Sequence, residues 1–418
     1  MLQSILERTC RLCKKRISDS GIKLNNVTEF DKFPDESHCF LCLGILTKYC
    51  NSSFADQALQ KIKSDGFLNF SSFSLCVKIS VVADVREACL MRYLSLISTD
   101  CQAYPKLDTK YFWKSRMSAI LENFLQMQYT NNKPSMTINV MFKERWNADL
   151  NKFCKILNFT STDKKRKCDD SAVPAKETIL KYITMITNPI IIEEFLKLQL
   201  DDDVDCEIKI EANSIYLAGR YVKLSRNISQ SPGFANQGKI GQSVEEMLTK
   251  AVCDATDHSE CKFVTAGRED TDVLMLGRGR PFYLELINPK FPGISQKFIR
   301  QIQEIINASM EYIKINDLQA IQIDQLHYIK EGEQDRKKVY RILCYCSDSL
   351  SESSDALERI RNLNGLTDLT IYQRTPLRVL NARSLSTRKR VINEIKVSNI
   401  DIIGGHEFEL VVRSQAGT

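Results

Sequence analysis

The chain of 418 residues is long enough for two or three domains, and its 43% hydrophobic and 26% charged residues are ordinary for a folded protein. No apolar run reaches the roughly 18 residues a membrane-spanning helix needs, and the first ten residues, with Glu7 and Arg8, carry no signal-peptide block, so no membrane partner is expected. A net charge of +6 permits nucleic-acid binding without requiring it, and the four histidines lie in no metalloprotease or nucleophile-elbow motif, which argues against histidine-driven hydrolysis.

Fifteen cysteines are many, and without a secretion signal most are expected as reduced thiols. Cys10 and Cys13 form one C-x-x-C, and Cys39 and Cys42 a second. Two such pairs can set four thiolates tetrahedrally around a structural Zn²⁺, organising a small module over residues 1–60. Free thiols or a redox dithiol are the alternatives, with His38 and Cys50 as substitute ligands. Residues 66–235 mix helix-like and strand-like stretches. They are interrupted at 161–175 by the polar STDKKRKCDDSAVPA, a linker or loop. Its Lys164–Lys167 run reads either as a solvated tract or as a nuclear localisation signal, which leaves nucleus and cytoplasm both open.

Residues 240–418 alternate between helical and extended patterns. VEEMLTKAV (244–252) has helical spacing, and KFVTAGRED leads from a short strand into a polar turn. DVLML and PFYLELI read as strands joined by GRGR, where Gly277 and Gly279 suit a turn with positive φ. KFIRQIQEIINASM (297–310) is an amphipathic helix. AIQIDQLHYI and VYRILCYC read as strands, ALERIRNL as a helix, and LTIYQRT, VINEIKV and FELVVRS as strands. The pattern predicts an α+β fold with a mixed or antiparallel sheet.

The stretch 266–286 carries the most chemistry. It sets Glu269, Asp270 and Asp272 among Arg268, Arg278 and Arg280. From the residues alone it is a self-neutralised solvated loop or a two-carboxylate metal site. Gly277-x-Gly279 lacks the third glycine of a dinucleotide-binding loop. Between Leu369 and Asn393 lie Arg374, Arg378, Arg383, Arg388, Lys389 and Arg390 with no acid, a composition suited to phosphate contacts or to a solvated strand pair.

The same stretch resembles the catalytic motif of the tRNA pseudouridine synthase ten family of archaea and eukaryotes, G-R-E-D-x-D-V-R-x-L-G-x-G-R-P-F-x-x-E. Gly267, Arg268, Glu269, Asp270, Asp272, Val273, Leu276, Gly277, Gly279, Arg280, Pro281, Phe282 and Glu285 match, and Leu274 stands where the family has arginine. CFLCLGILTKYC (39–50), GRYVKLSRNISQSP (219–232) and YQRTPLRVLNARSLSTRKRVI (372–392) resemble further family segments, with Gly233 in place of a tryptophan.

The resemblance implies a pseudouridine synthase catalytic domain over 240–418 and an accessory RNA-binding region of THUMP type over 66–235, with no organic cofactor. It gives Asp270 the role of nucleophile. Arg268 would fill the space of a flipped base, and Tyr340 would stack on that base. Arg280 falls among the residues expected at the substrate or RNA. The implied partner is tRNA, modified in the TΨC arm at positions fifty-four and fifty-five, with other structured RNA open and a monomer expected. The family continues beyond the strand FELVVRSQAGT with a lysine near the aspartate, so the sequence reads as C-terminally incomplete. An RNA-binding protein or tRNA chaperone without activity is the alternative function.

Overall fold

The computed structural model describes residues 2–19, 39–67, 69–97, 108–144, 176–197, 204–232, 243–329, 337–350, 352–375, 384–400 and 405–415. The 161–175 stretch with its Lys164–Lys167 run, His38, Arg378 and Arg383 lie outside the described residues. The chain divides into two compact units, the first comprising Met1–Ser214, Asp257–Ser259 and Ile287–Gly293, the second the remainder.

In the first unit β1 (Ser72–Lys78), β2 (Gln128–Tyr129), β3 (Met136–Glu144) and β4 (Val204–Ala212) form a mixed sheet in the order β2-β1-β3-β4. β1 runs parallel to β2 and β3, and β3 is antiparallel to β4. Alternation supplies the sheet's buried face: Phe73, Leu75 and Val77 from β1, and Met136, Ile138, Val140 and Phe142 from β3. Helix Ser52–Ser64 begins where the Asn51 side chain accepts from the Phe54 N–H, and it buries Phe54, Ala55, Ala58 and Ile62 along one stripe. Trp113 is fully buried edge-on between Phe54 and Phe142, and its Nε1–H donates to the Tyr49 carbonyl at 2.9 Å.

The four paired cysteines belong to this same core. The Arg16–Glu87 ion pair, at 2.9 Å, and the Arg86 guanidinium, which donates to the Phe40 carbonyl at 2.7 Å, stitch the cysteine segments to helix Val81–Ile97.

The second unit contains two four-stranded sheets. The first is β6-β7-β5-β8, from β5 (Ile215–Lys223), β6 (Glu260–Thr265), β7 (Met275–Ile287) and β8 (Ile313–Ile321). The second is β10-β11-β12-β9, from β9 (Lys338–Tyr345), β10 (Thr367–Arg374), β11 (Thr387–Ser398) and β12 (Glu407–Ser414). β5 is antiparallel to both β7 and β8, and the second sheet is antiparallel throughout. Helix Val244–Ala255 opens with a reciprocal Ser243/Glu246 capping box. Helix Gln296–Ser309 buries Ile299, Ile302 and Ile306 and packs on β8. The α+β character expected from the sequence is present.

β5 takes its ladder partners from β7 and β8, so the second unit opens at Ile215. Two expectations are corrected. GRGR does not turn a hairpin and lies within the continuous strand β7. Tyr221 pairs with Arg280 and Lys223 with Met275, so the glycines form a bulge in which one β5 residue faces four on β7. Positive φ serves a bulge as well as a turn, which is why the residues alone did not separate the two. AIQIDQLHYI is extended only at its start and passes into the 3₁₀ turn Ile323–Gln325.

Candidate active site

β6 ends at Thr265 and β7 begins at Met275, leaving residues 266–274 without a ladder partner for most of their polar backbone. Three backbone bonds pin the loop's entry and tip: Ala266 N–H donates to the Pro281 carbonyl at 2.9 Å, Gly267 N–H to the Thr265 carbonyl at 3.1 Å and Val273 N–H to the Asp270 carbonyl at 3.2 Å. Gly267 takes φ +83°, which lets the chain leave the strand sharply.

Beneath the loop is a buried polar cluster. Glu269 is 7% exposed and directs its carboxylate inward. Arg280 Nε donates to Glu269 Oε2 at 2.6 Å, and its Nη1 donates to the Ala266 carbonyl at 2.8 Å. The Tyr221 hydroxyl donates to the same carboxylate at 2.8 Å, and Gln230 Nε2 donates to the Tyr221 oxygen at 2.8 Å. Burial, reinforced by the Glu269 charge, holds the Tyr221 phenol well above its ordinary pKa, so it stays a donor.

Side chains also bind the loop's carbonyls. Gln230 Nε2 lies 3.2 Å from Gly267 O, and the Thr265 hydroxyl donates to the same oxygen at 2.8 Å. Lys223, fully buried, donates to Asp270 O at 3.0 Å, Thr271 O at 2.9 Å and Ile228 O at 3.0 Å. Arg226 Nη1 donates to Asp272 O at 2.8 Å. Burial lowers the Lys223 pKa, opposed by the charges of Glu269, Asp272 and Asp270.

The three acids of the motif are thus separated by environment. Glu269 is locked in the core, Asp270 is half-buried and Asp272 is exposed. Arg268 is exposed beside them. Arg280, expected at the substrate or RNA, is instead 8% exposed and ion-paired to Glu269, because an uncompensated carboxylate at that depth would be costly. Tyr340 is half-buried on β9, opposite Val412 of β12. Arg374 ends β10, and Arg388, Lys389 and Arg390 follow one another on the neighbouring β11, with Lys389 opposite the exposed Tyr372.

Tyr221, Lys223 and Gln230 were not singled out as site residues from the sequence. The signal available was the spacing Tyr221-x-Lys223, which puts both on one face of a strand, behind the buried Leu217.

In the first unit the sulfurs of Cys10, Cys13, Cys39 and Cys42 lie within 4.8 Å of one another, and all four residues are buried. Tetrahedral Zn–S bonds of about 2.3 Å require sulfurs roughly 3.8 Å apart, and Cys10 Sγ to Cys42 Sγ is 3.9 Å, so the residues fit such an ion. Cys10 N–H donates to Cys39 Sγ at 3.2 Å, and Arg16 Nη1 to Cys13 Sγ at 3.6 Å. Burial opposes ionisation of Cys39, but hydrogen bonds from Cys10, Cys13 and Cys42 outweigh it and hold its thiol well below the ordinary value. Cys50 is buried but lies outside this cluster.

Comparison with known proteins places this arrangement. The family model described as "Pus10, C-terminal" matches residues 216–418, which begin within β5 and take in both sheets of the second unit. The tRNA pseudouridine synthase Pus10 of Xenopus laevis is 31% identical over 389 residues, covering 91% of this chain and 73% of the relative. The chain belongs to the Pus10 family. The Mus musculus Pus10 is 30% identical over 427 residues, covering 96% of this chain and 76% of its own length. The Pus10 of Methanocaldococcus jannaschii is 34% identical over 225 residues, half of this chain and 46% of that protein. The two vertebrate relatives thus align over nearly the whole chain, whereas the archaeal match spans half of it.

Proposed function

We propose that this Pus10 family chain isomerises uridine to pseudouridine in tRNA, with Asp270 as the nucleophile and the TΨC arm, at positions fifty-four and fifty-five, as the target. Besides family membership, one observation carries the reading. Of two adjacent acids, Glu269 is consumed by an internal network, while Asp270 is half-buried on a loop whose backbone is held from below. That is the arrangement a reacting carboxylate needs, since near-attack geometry depends on a fixed main chain.

The reaction is internally balanced. The carboxylate of Asp270 adds to C1′ of the flipped nucleotide as the C1′–N1 bond breaks, and the ester C1′–O bond breaks again when C5 attacks. Alternatively it draws the C2′ proton as C1′–N1 breaks to give a glycal, and that proton returns to C2′ when C5 bonds to C1′. The uracil turns, C5 bonds to C1′, the C5 proton leaves and N1 is protonated. Composition and oxidation level are unchanged, so the step asks for no external oxidant, reductant or group donor. Flipping costs on the order of a few kcal/mol, and the exposed Arg268 would offset part of it by occupying the vacated stack. Tyr340 would stack on the uracil. Arg374, Arg388, Lys389 and Arg390 supply phosphate contacts in this reading. The first unit serves as a THUMP-type RNA-binding region, with Zn²⁺ holding Cys10, Cys13, Cys39 and Cys42 as a structural centre.

The test is pseudouridine mapping on unmodified tRNA transcript with the parent chain and with Asp270→Ala. The alanine variant should retain tRNA binding and lose turnover. Activity within about tenfold of the parent, a loss of only ~1.4 kcal/mol of transition-state stabilisation, would sink the nucleophile assignment.

A further inference from the structure

The geometry points to Lys223 as the positioning residue of the nucleophile loop, an internal ammonium that orients Asp270 by gripping the two successive carbonyls of Asp270 and Thr271. The inference rests on the reading of Asp270 as nucleophile.

The argument starts from donor count. A lysine ammonium has three N–H donors and no acceptor. All three are engaged at Lys223, by the carbonyls of Ile228, Asp270 and Thr271 at 3.0, 3.0 and 2.9 Å. The side chain is 0% exposed. It therefore has no donor left for a phosphate or a base, and it acts on the reaction only through the loop. Two consecutive carbonyls on one ammonium fix the Asp270–Thr271 peptide plane, and with it the direction in which the Asp270 side chain leaves the chain.

The neighbouring contacts make the grip specific. Tyr221, two residues earlier on the same strand face, holds the side chain of Glu269. Arg226, three residues later, holds the Asp272 carbonyl. The segment 221–230 thus fastens residues 267, 269, 270, 271 and 272, from both sides of the nucleophile. A loop without ladder bonds gains from these side chains the rigidity that a strand takes from its neighbours.

Four variants decide it. Lys223→Met keeps the stem and removes the donors. Arg226→Leu loosens the same loop from an exposed position and so keeps the assay decisive if the first variant does not fold. Lys314→Met is the control, because Lys314, on the neighbouring strand opposite Val222, binds the carbonyls of Asn307 and Met310 and none of the loop's. Asp270→Ala tests the underlying reading. Single-turnover rates and tRNA affinity are measured together with amide hydrogen exchange at residues 270–273.

For Lys223→Met the expected result is a rate lowered about a hundredfold, as for a displacement of about 1 Å, with tRNA affinity within about threefold of the parent. Exchange at 270–273 should rise about tenfold or more by local opening, and Arg226→Leu should show both effects at smaller size. Lys314→Met should show neither. An unchanged rate or unchanged loop exchange in Lys223→Met, or an equal rate loss in Lys314→Met, overturns the positioning role. Turnover surviving in Asp270→Ala overturns the nucleophile reading instead, whatever Lys223 does.

Discussion

The hydroxyl of Tyr221 lies 2.8 Å from the carboxylate of Glu269, although the two residues are 48 positions apart in the chain. This bond, with the Arg280 ion pair, makes one acid of the motif part of the buried scaffold, while the next, Asp270, is half-buried.

The first prediction concerns that scaffold. Glu269→Ala should destabilise the second unit by about 3–5 kcal/mol, because Arg280 is left as a buried cation without its carboxylate. Tyr221→Phe should cost about 1.5–3 kcal/mol, the range for a hydrogen bond to a charged group. Denaturant unfolding followed by circular dichroism checks both. A loss below about 1 kcal/mol for Glu269→Ala, typical of a surface pair, would contradict a buried role.

A second prediction contrasts two glycines of one bulge. Gly279 has φ +79°, and a Cβ there would lie 2.6 Å from the Tyr221 carbonyl oxygen. Gly277 has φ +67° with nothing within 4 Å of an added Cβ. Gly277→Ala should cost only the roughly 1–2 kcal/mol of a left-handed residue. Gly279→Ala should cost clearly more, since a backbone atom must move, and melting temperatures of the two variants give the order.

The third prediction is of about one zinc per chain, the stoichiometry of a single four-thiolate site, by elemental analysis of protein purified without chelator. Cys39→Ser should lose the metal and destabilise the first unit, because the cysteine segments share its core. Ready alkylation of all four cysteines in the native, chelator-free protein would rule the site out.

A fourth prediction follows from buried thiols. Burial, opposed only by the Arg116 charge, pushes Cys50 up to about 11 from 9.0. Burial also pushes Cys206 and Cys261 up to about 12, neighbouring negative charges adding to the effect at Cys261. A raised folded-state pKa means that the unfolded thiol gives up its proton first. The stability these thiols contribute is present below pH 9 and lost as pH rises through 11 to 12. The slope is about 1.4 kcal/mol per pH unit for each thiol in that window. Urea unfolding between neutral and alkaline pH should show it, and Cys50→Ala with Cys206→Ala should flatten the first unit's dependence.

Much of this was legible in the chain itself. The apolar spacing of Ile299, Ile302 and Ile306 marks its helix, and the alternation in β9 to β12 marks its strands, because those periods are local properties. The two C-x-x-C pairs already hold the composition of a four-sulfur site, and the Arg268-Glu269-Asp270 run names the loop where the acids gather.

What the tertiary structure decided is which charge meets which. Arg268, Arg278 and Arg280 are equivalent neighbours of Glu269, Asp270 and Asp272 along the sequence, and no local rule pairs them. Register with β5 does: it sets Tyr221 and Arg280 opposite each other, draws Glu269 inward and makes Arg280 a core residue rather than a surface one. The same register makes GRGR a bulge, and it puts the Lys223 ammonium under the Asp270 carbonyl. Such pairings depend on contacts between residues tens of positions apart, where burial makes each unpaired polar group costly enough to dictate its partner.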